Sequence, residues 1–242
     1  MGRALSVVWK SIVDLYGELF PMVGANIVWF AITFVMLIVL SPLLFLANAF
    51  GASIELVSVA LVLLLVLAPS PAAAGLHNYA NTLVKEEHVD FSLIWEGLRQ
   101  YWAKSLLLFA AALAGATLLV ANAIFYFNLA NQQSAPLWRI AGVLFIYMFA
   151  LWIAIQTYAL PLLIEQENKS FRLIIRNAAL LCLDNPFFTF TLLLMILLIT
   201  VLSLALPIFI TLISGSLVGI IQHRAVLTLL EKYRKKSDGR AS

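Results

Sequence analysis

Six polar side chains interrupt otherwise apolar stretches of this 242-residue sequence, and they are the residues best placed to do chemistry. His77, Asn78 and Asn81 fall at i, i+1 and i+4, on one face of any helix that carries them. Gln156 and the neighbours Gln222 and His223 are the others. Each group precedes a charged residue by a similar interval: His77 lies eight before Lys85, Gln156 nine before Glu165, and Gln222 and His223 ten and nine before Lys232. Similar intervals put three polar positions at similar depth in three helices. An amide or imidazole in hydrocarbon is costly unless it finds a partner or water. Two arrangements satisfy them: ordinary interhelical hydrogen bonding, or convergence around a polar cavity that holds a solute. No stronger chemistry is spelled out. A phosphate-binding glycine loop, a paired-histidine metalloprotease motif and a nucleophile elbow are all absent. The histidines, His77, His88 and His223, lack the spacing of a metal site. No catalytic, cofactor-binding or metal residue is expected, and the chain reads as a non-enzyme.

The elements that must position these residues follow from composition. The chain is 63% hydrophobic and 11% charged, against about 45–50% and about 25% for a soluble domain. Too few polar side chains remain to cover a soluble surface, so a polytopic membrane protein is expected. The formal net charge of +3 is too small and dispersed for nucleic acid. Cys182 stands alone, so no internal disulfide can form.

Charge-free runs locate the spans. No Asp, Glu, Lys or Arg occurs in residues 19–54, 56–84, 105–138, 140–164 or 185–223. One helical crossing needs about 20 residues, so the last run holds two, with Pro207 as the break between them. Six spans result: 22–46, 54–85, 105–128, 136–164, 186–205 and 208–232. Strands are not expected, because segments such as 61–67 are apolar on all sides, whereas a spanning strand alternates. Ala47-Asn48-Ala49 resembles a signal cleavage site, but Asp14 and Glu18 in the leader and the long apolar run favour a retained span. The second span is too long to cross straight, and Pro69 and Pro71 mark its kink.

Cations set the orientation. Fourteen of the 15 Lys and Arg residues flank the spans on one side; only Arg139 falls on the other. The positive-inside rule then places both termini in the cytoplasm. Each cytoplasmic segment before a span pair carries apolar and aromatic residues at helical spacing: Leu5, Val8, Trp9, Ile12, Leu15, Tyr16 and Leu19; then Phe91, Ile94, Trp95, Leu98, Tyr101 and Trp102; then Phe171, Ile174, Ile175, Ala178 and Leu181. Such helices lie flat at the headgroup boundary. The expected fold is therefore all-α: six transmembrane helices as three hairpins, each preceded by an amphipathic interface helix. It forms one membrane domain, 1–242, with repeat units 3–85, 90–165 and 170–235. Residues 236–242 are expected as a disordered basic tail.

Smaller features complete the pattern. Gly215 and Gly219 form a small-xxx-small pair suited to close helix packing. Glu55 and Arg139 are the only charges expected on the outer side, and they are candidates for an ion pair. The run Lys232-Tyr233-Arg234-Lys235-Lys236 suits anchoring to anionic lipid.

Four stretches resemble the YesL family of bacterial integral membrane proteins, a domain family of unknown function. They are Asn26-Ile27-Val28-Trp29; Pro69-Ser70-Pro71-Ala72-Ala73-Ala74-Gly75-Leu76 with Thr82-Leu83-Val84-Lys85-Glu86-Glu87; Phe91-Ser92-Leu93-Ile94-Trp95 with Tyr101-Trp102; and Tyr158-Ala159-Leu160-Pro161-Leu162-Leu163 with Arg176-Asn177-Ala178 and Asn185-Pro186. Residues 41–66 depart from the pattern by extra length. The resemblance implies an association with carbohydrate uptake, alongside other uptake-system membrane components, and supplies no catalytic residues. Two functions are expected from different classes: a transport-related or accessory component of solute uptake, or a membrane scaffold or regulator that binds a partner through its cytoplasmic helices and basic tail. Tags on both ends are expected to stay hidden from an impermeant probe applied to intact cells; labelling of either end would overturn the orientation.

Overall fold

The computed structural model describes residues 2–49, 51, 53–85, 89–133, 136–206, 208 and 210–238. Among them no strand occurs, and helices follow one another with short joints. They are α1 (Gly2–Gly17), α2 (Leu19–Ala49), α3 (Ile54–Leu67), α4 (Pro69–Val84), α5 (Ser92–Gln133), α6 (Pro136–Glu165), α7 (Phe171–Asp184), α8 (Pro186–Ala205), a π-helical turn (Ile210–Ser214) and α9 (Gly215–Asp238). Six segments are long and apolar enough to cross a membrane: Leu19–Leu46, Leu56–Val84, Ser92–Gln133, Pro136–Glu165, Pro186–Ala205 and Thr211–Arg234. This is the architecture of a multi-pass membrane protein. Only helices satisfy every backbone hydrogen bond within one apolar segment.

Local sequence explains most boundaries. Ser53 caps α3, its hydroxyl accepting from the Leu56 N–H at 3.4 Å. The second span divides at Ala68, directly before Pro69, where proline occupies the first turn of α4 and its missing N–H costs nothing. Ala68 keeps helical angles (φ −59°, ψ −39°), so the joint is a bend and not a loop. The expected break at Pro207 lies outside the described residues.

Two boundaries differ from expectation. The second amphipathic segment and the third span are one unbroken helix of 42 residues, α5. No proline interrupts 91–133, so nothing separates a surface helix from a span. At about 1.5 Å per residue the helix reaches ~63 Å, well beyond a ~30 Å hydrocarbon core. At the other end α9 continues to Asp238, through the start of the expected tail; residues 239–242 lie outside the described residues.

The packed centre is built by α4, α6 and α9. The most apolar window of the sixth span is 56% buried, whereas that of the first is 0% buried. Leu76 and Tyr79 of α4, Tyr158, Leu162 and Leu163 of α6, and Ile220 and Ile221 of α9 are almost wholly enclosed. The outer helices turn Phe34, Val39, Leu118, Phe125 and Leu197 outward, as a lipid-facing surface requires.

In lipid, apolar area does not decide which face packs inward, because the solvent is equally apolar. On α1, Val8 and Leu15 of the expected apolar face are buried together with Ala4, Val7 and Ser11, while Leu5, Trp9, Ile12 and Tyr16 of the same face are exposed. Small residues allow the close approach that dispersion needs. The same logic brings α4 against α5: a Cβ on Gly75 would lie 2.5 Å from the Ile94 carbonyl oxygen, and one on Gly97 would lie 2.5 Å from Asn78 Cβ. At the α4–α9 contact Gly219 faces Ala80, at 3.4 Å from its would-be Cβ. Gly215 sits against Asn26, Leu76 and Trp29.

The first span is tied to the last by polar contacts. Asn26 donates from Nδ2 to the Thr211 carbonyl at 2.7 Å and accepts the Ser216 N–H on Oδ1 at 2.9 Å. The Ser216 hydroxyl donates to the Met22 carbonyl at 3.0 Å. Asn26 thereby satisfies an amide in the first turn of α9, where intrahelical partners run out. Asn26→Leu would leave that buried N–H unpaired. It is expected to cost about 1–3 kcal/mol, measured as a lower unfolding midpoint in detergent micelles; an unchanged midpoint would contradict the role.

Candidate functional site

The polar residues singled out by spacing sit on the three central helices. His77 on α4 and His223 on α9 meet directly, with Nδ1 and Nε2 3.2 Å apart. The rings tilt at 51° with centroids 5.2 Å apart. Both side chains are buried, at 7% and 1% exposure. A hydrogen bond between two imidazoles needs one N–H and one lone pair, so the facing nitrogens cannot both be protonated. The couple can hold one proton between α4 and α9. Among the described residues no group of three or more His, Cys, Asp or Glu is placed to hold a metal ion.

The neighbouring amides divide. Asn78 donates from Nδ2 to the Leu93 carbonyl at 2.9 Å and so fastens α4 to α5. It belongs to that crossing and not to the histidine couple. Asn81 is buried, and its Oδ1 has no hydrogen-bond partner among the described residues. The half-buried Gln156 on α6 likewise has an enclosed Nε2 without a partner there. Gln222 is half-buried on α9. Arg139 is exposed at the start of α6, while the Glu55 side chain lies outside the described residues, and with it the expected Glu55–Arg139 pair.

Below this layer lies a charged rim at the ends of the same helices. Lys85 ends α4 and forms an ion pair with Glu165, which ends α6, at 2.7 Å. Lys169 donates to the Ile164 carbonyl at 2.7 Å and lies 5.0 Å from the centre of the Tyr101 ring. A cation there complements the carbonyl end of α6. Burial holds the Lys169 ammonium below its ordinary range, nearby Lys104 and Lys85 add to this, and Glu165 opposes it. On α9, Lys232 donates to Asn185 Oδ1 at 2.6 Å, and the Asn185 amide donates to the Tyr233 hydroxyl at 2.9 Å. Tyr233 in turn donates to Asp184 at 3.1 Å. Nearer the histidine couple, Arg224, the residue after His223 on α9, pairs with Asp14 of α1. The three charged residues used as depth markers, Lys85, Glu165 and Lys232, therefore all take part in bonds between elements. Cys182 in α7 is buried, and burial pushes its thiol pKa up, so it offers no reactive thiolate.

Sequence reasoning did not identify Asn26, Asp14 or Thr189 as partners. Thr189 shares a 2.7 Å hydrogen bond with the Tyr158 hydroxyl, linking α8 to α6. The signal for Asn26 was present, since it is an amide inside a charge-free run; the signal for the others was not, because partners 31 and 210 residues apart leave no local spacing. No family model, curated protein or solved structure matches the chain.

The histidine couple generates a quantitative expectation. His77→Leu and His223→Leu should each destabilise the protein, and the double variant should cost less than the two together. The coupling expected for a hydrogen bond between membrane helices is about 0.6–1.7 kcal/mol. A double-mutant cycle on unfolding in mixed micelles measures it, and strict additivity would rule the bond out.

Proposed function

We propose that this chain is an accessory component of solute uptake that acts as a membrane scaffold and not as the solute path. The observation that carries this reading is the direct contact of His77 with His223. A solute site formed by the three central helices would need these side chains to face open space; instead each fills the position in front of the other. The ion pair Lys85–Glu165 draws α4 and α6 together at the rim of the same group.

Several finer assignments belong to the same proposal. The six spans form three hairpins at a bacterial inner membrane with both termini inside; the first and third are led by the amphipathic helices α1 and α7 at the cytoplasmic boundary, and the second by the cytoplasmic end of α5 itself. The exposed Trp9, Tyr16, Trp95 and Trp102 support the interfacial placement, since such rings favour the membrane–water boundary. The YesL-like stretches support membership of that family and a link to carbohydrate uptake. The partner is another membrane component of the uptake system, met through the cytoplasmic helices and the basic end of α9.

Proteoliposomes containing only this protein test the reading. Labelled mono- and disaccharides are expected to enter them no faster than empty vesicles, while deletion in cells that produce the protein lowers uptake and re-expression restores it. Saturable sugar entry into the purified system, lost in His77→Leu, would replace the scaffold by a transporter.

A further inference from the structure

A separate feature lies where α1 meets α9, apart from the histidine couple. A cavity of about 240 Å³ opens there, lined by Arg3, Ser6 and Lys10 of α1 and by Arg224, Thr228 and Glu231 of α9. That is smaller than the roughly 300–1,000 Å³ of sites for drug-sized ligands and leaves room for a group of headgroup size. Its polar lining is mainly cationic. Arg224 donates from one end of its guanidinium to Asp14, and its buried Nε has no partner among the described residues. Neither Arg3 nor Lys10 is engaged in an ion pair among the described residues. The Thr228 hydroxyl donates to the Arg224 carbonyl at 2.7 Å. Three cations face two carboxylates, Asp14 and Glu231, which leaves one positive charge uncompensated.

The geometry points to a binding site for a singly charged phosphate group, held by Arg3, Lys10 and Arg224. Several N–H donors around one small space match an anion with several acceptor oxygens, and guanidinium forks fit phosphate well. A single net charge suits a phosphodiester. The same chemistry could come from the headgroup of an anionic phospholipid or from free phosphate. On α1, the exposed Trp9 and Tyr16 flank the cavity residue Lys10 in sequence, which puts the site at headgroup depth if those rings mark the boundary. The proposal does not depend on the uptake reading.

The test uses the full-length protein in a neutral detergent, with dihexanoyl phosphatidylglycerol, dihexanoyl phosphatidylcholine and inorganic phosphate as separate probes, followed by the ligand-dependent rise in Tm. Saturable stabilisation by phosphatidylglycerol above phosphatidylcholine is expected. Arg3→Gln/Lys10→Gln should weaken it roughly 30-fold, taking two cations of the usual near-surface strength. This variant removes only exposed side chains, so its Tm without ligand serves as the folding check. Lys104→Gln/Arg172→Gln removes the same charge from residues outside the cavity and should leave binding unchanged. Saturable stabilisation by inorganic phosphate with the same sensitivity assigns the site to free phosphate and supports the shared chemistry. No saturable response to either anion, or equal weakening in both double variants, overturns the site.

Discussion

A bilayer interior offers no water to a stranded polar group, and that constraint organises this protein. Every amide, hydroxyl or imidazole within its apolar helices must find another protein group or remain uncompensated. The contacts that answer this demand join elements far apart in sequence: His77 with His223, Asn26 with Thr211 and Ser216, Tyr158 with Thr189. Apolar packing alone would let these helices slide and rotate, because lipid competes equally for their surfaces. The buried polar contacts fix α4 against α9, α2 against α9 and α6 against α8.

Around these contacts the architecture is economical. The close crossings at Gly75 and Gly97 bring α4 and α5 near enough for Asn78 to reach a backbone carbonyl. The bend at Ala68 separates the outward-facing α3 from the enclosed α4 within one span. The ion pair Lys85–Glu165 and the Lys232–Asn185 bond then close the bundle at the ends of the helices.

Much of this was legible in the sequence, for identifiable reasons. Charge is so scarce that its gaps delimit the spans almost directly; the fifth was read as 186–205 and is Pro186–Ala205. Polar residues inside apolar runs are equally scarce, so His77, Gln156 and His223 could be picked out, and their depth followed from counting back to Lys85, Glu165 and Lys232. Counting along a helix fixes depth but not the facing of one helix toward another, so Asn78 was grouped with the histidines when it belongs to the α5 crossing. Hydrophobic periodicity likewise grouped the apolar residues of α1 without separating Val8 and Leu15, which are buried, from Leu5, Trp9, Ile12 and Tyr16, which are exposed. The fusion of the second surface segment with its span was hidden for a plainer reason: a helix has no obligation to stop where its surroundings change.

The tie between the two ends of the chain carries a consequence for biogenesis. Asp14, Met22 and Asn26 all bond to residues 211–224. While a ribosome is still making the middle of the protein, the first span has no partner for its amide and α1 has no α9 to seat against. Insertion of the early helices can proceed one by one, but their final docking waits for nearly the whole chain to emerge. Until then the nascent first span depends on the insertion machinery, or on the lipid itself, to shelter Asn26.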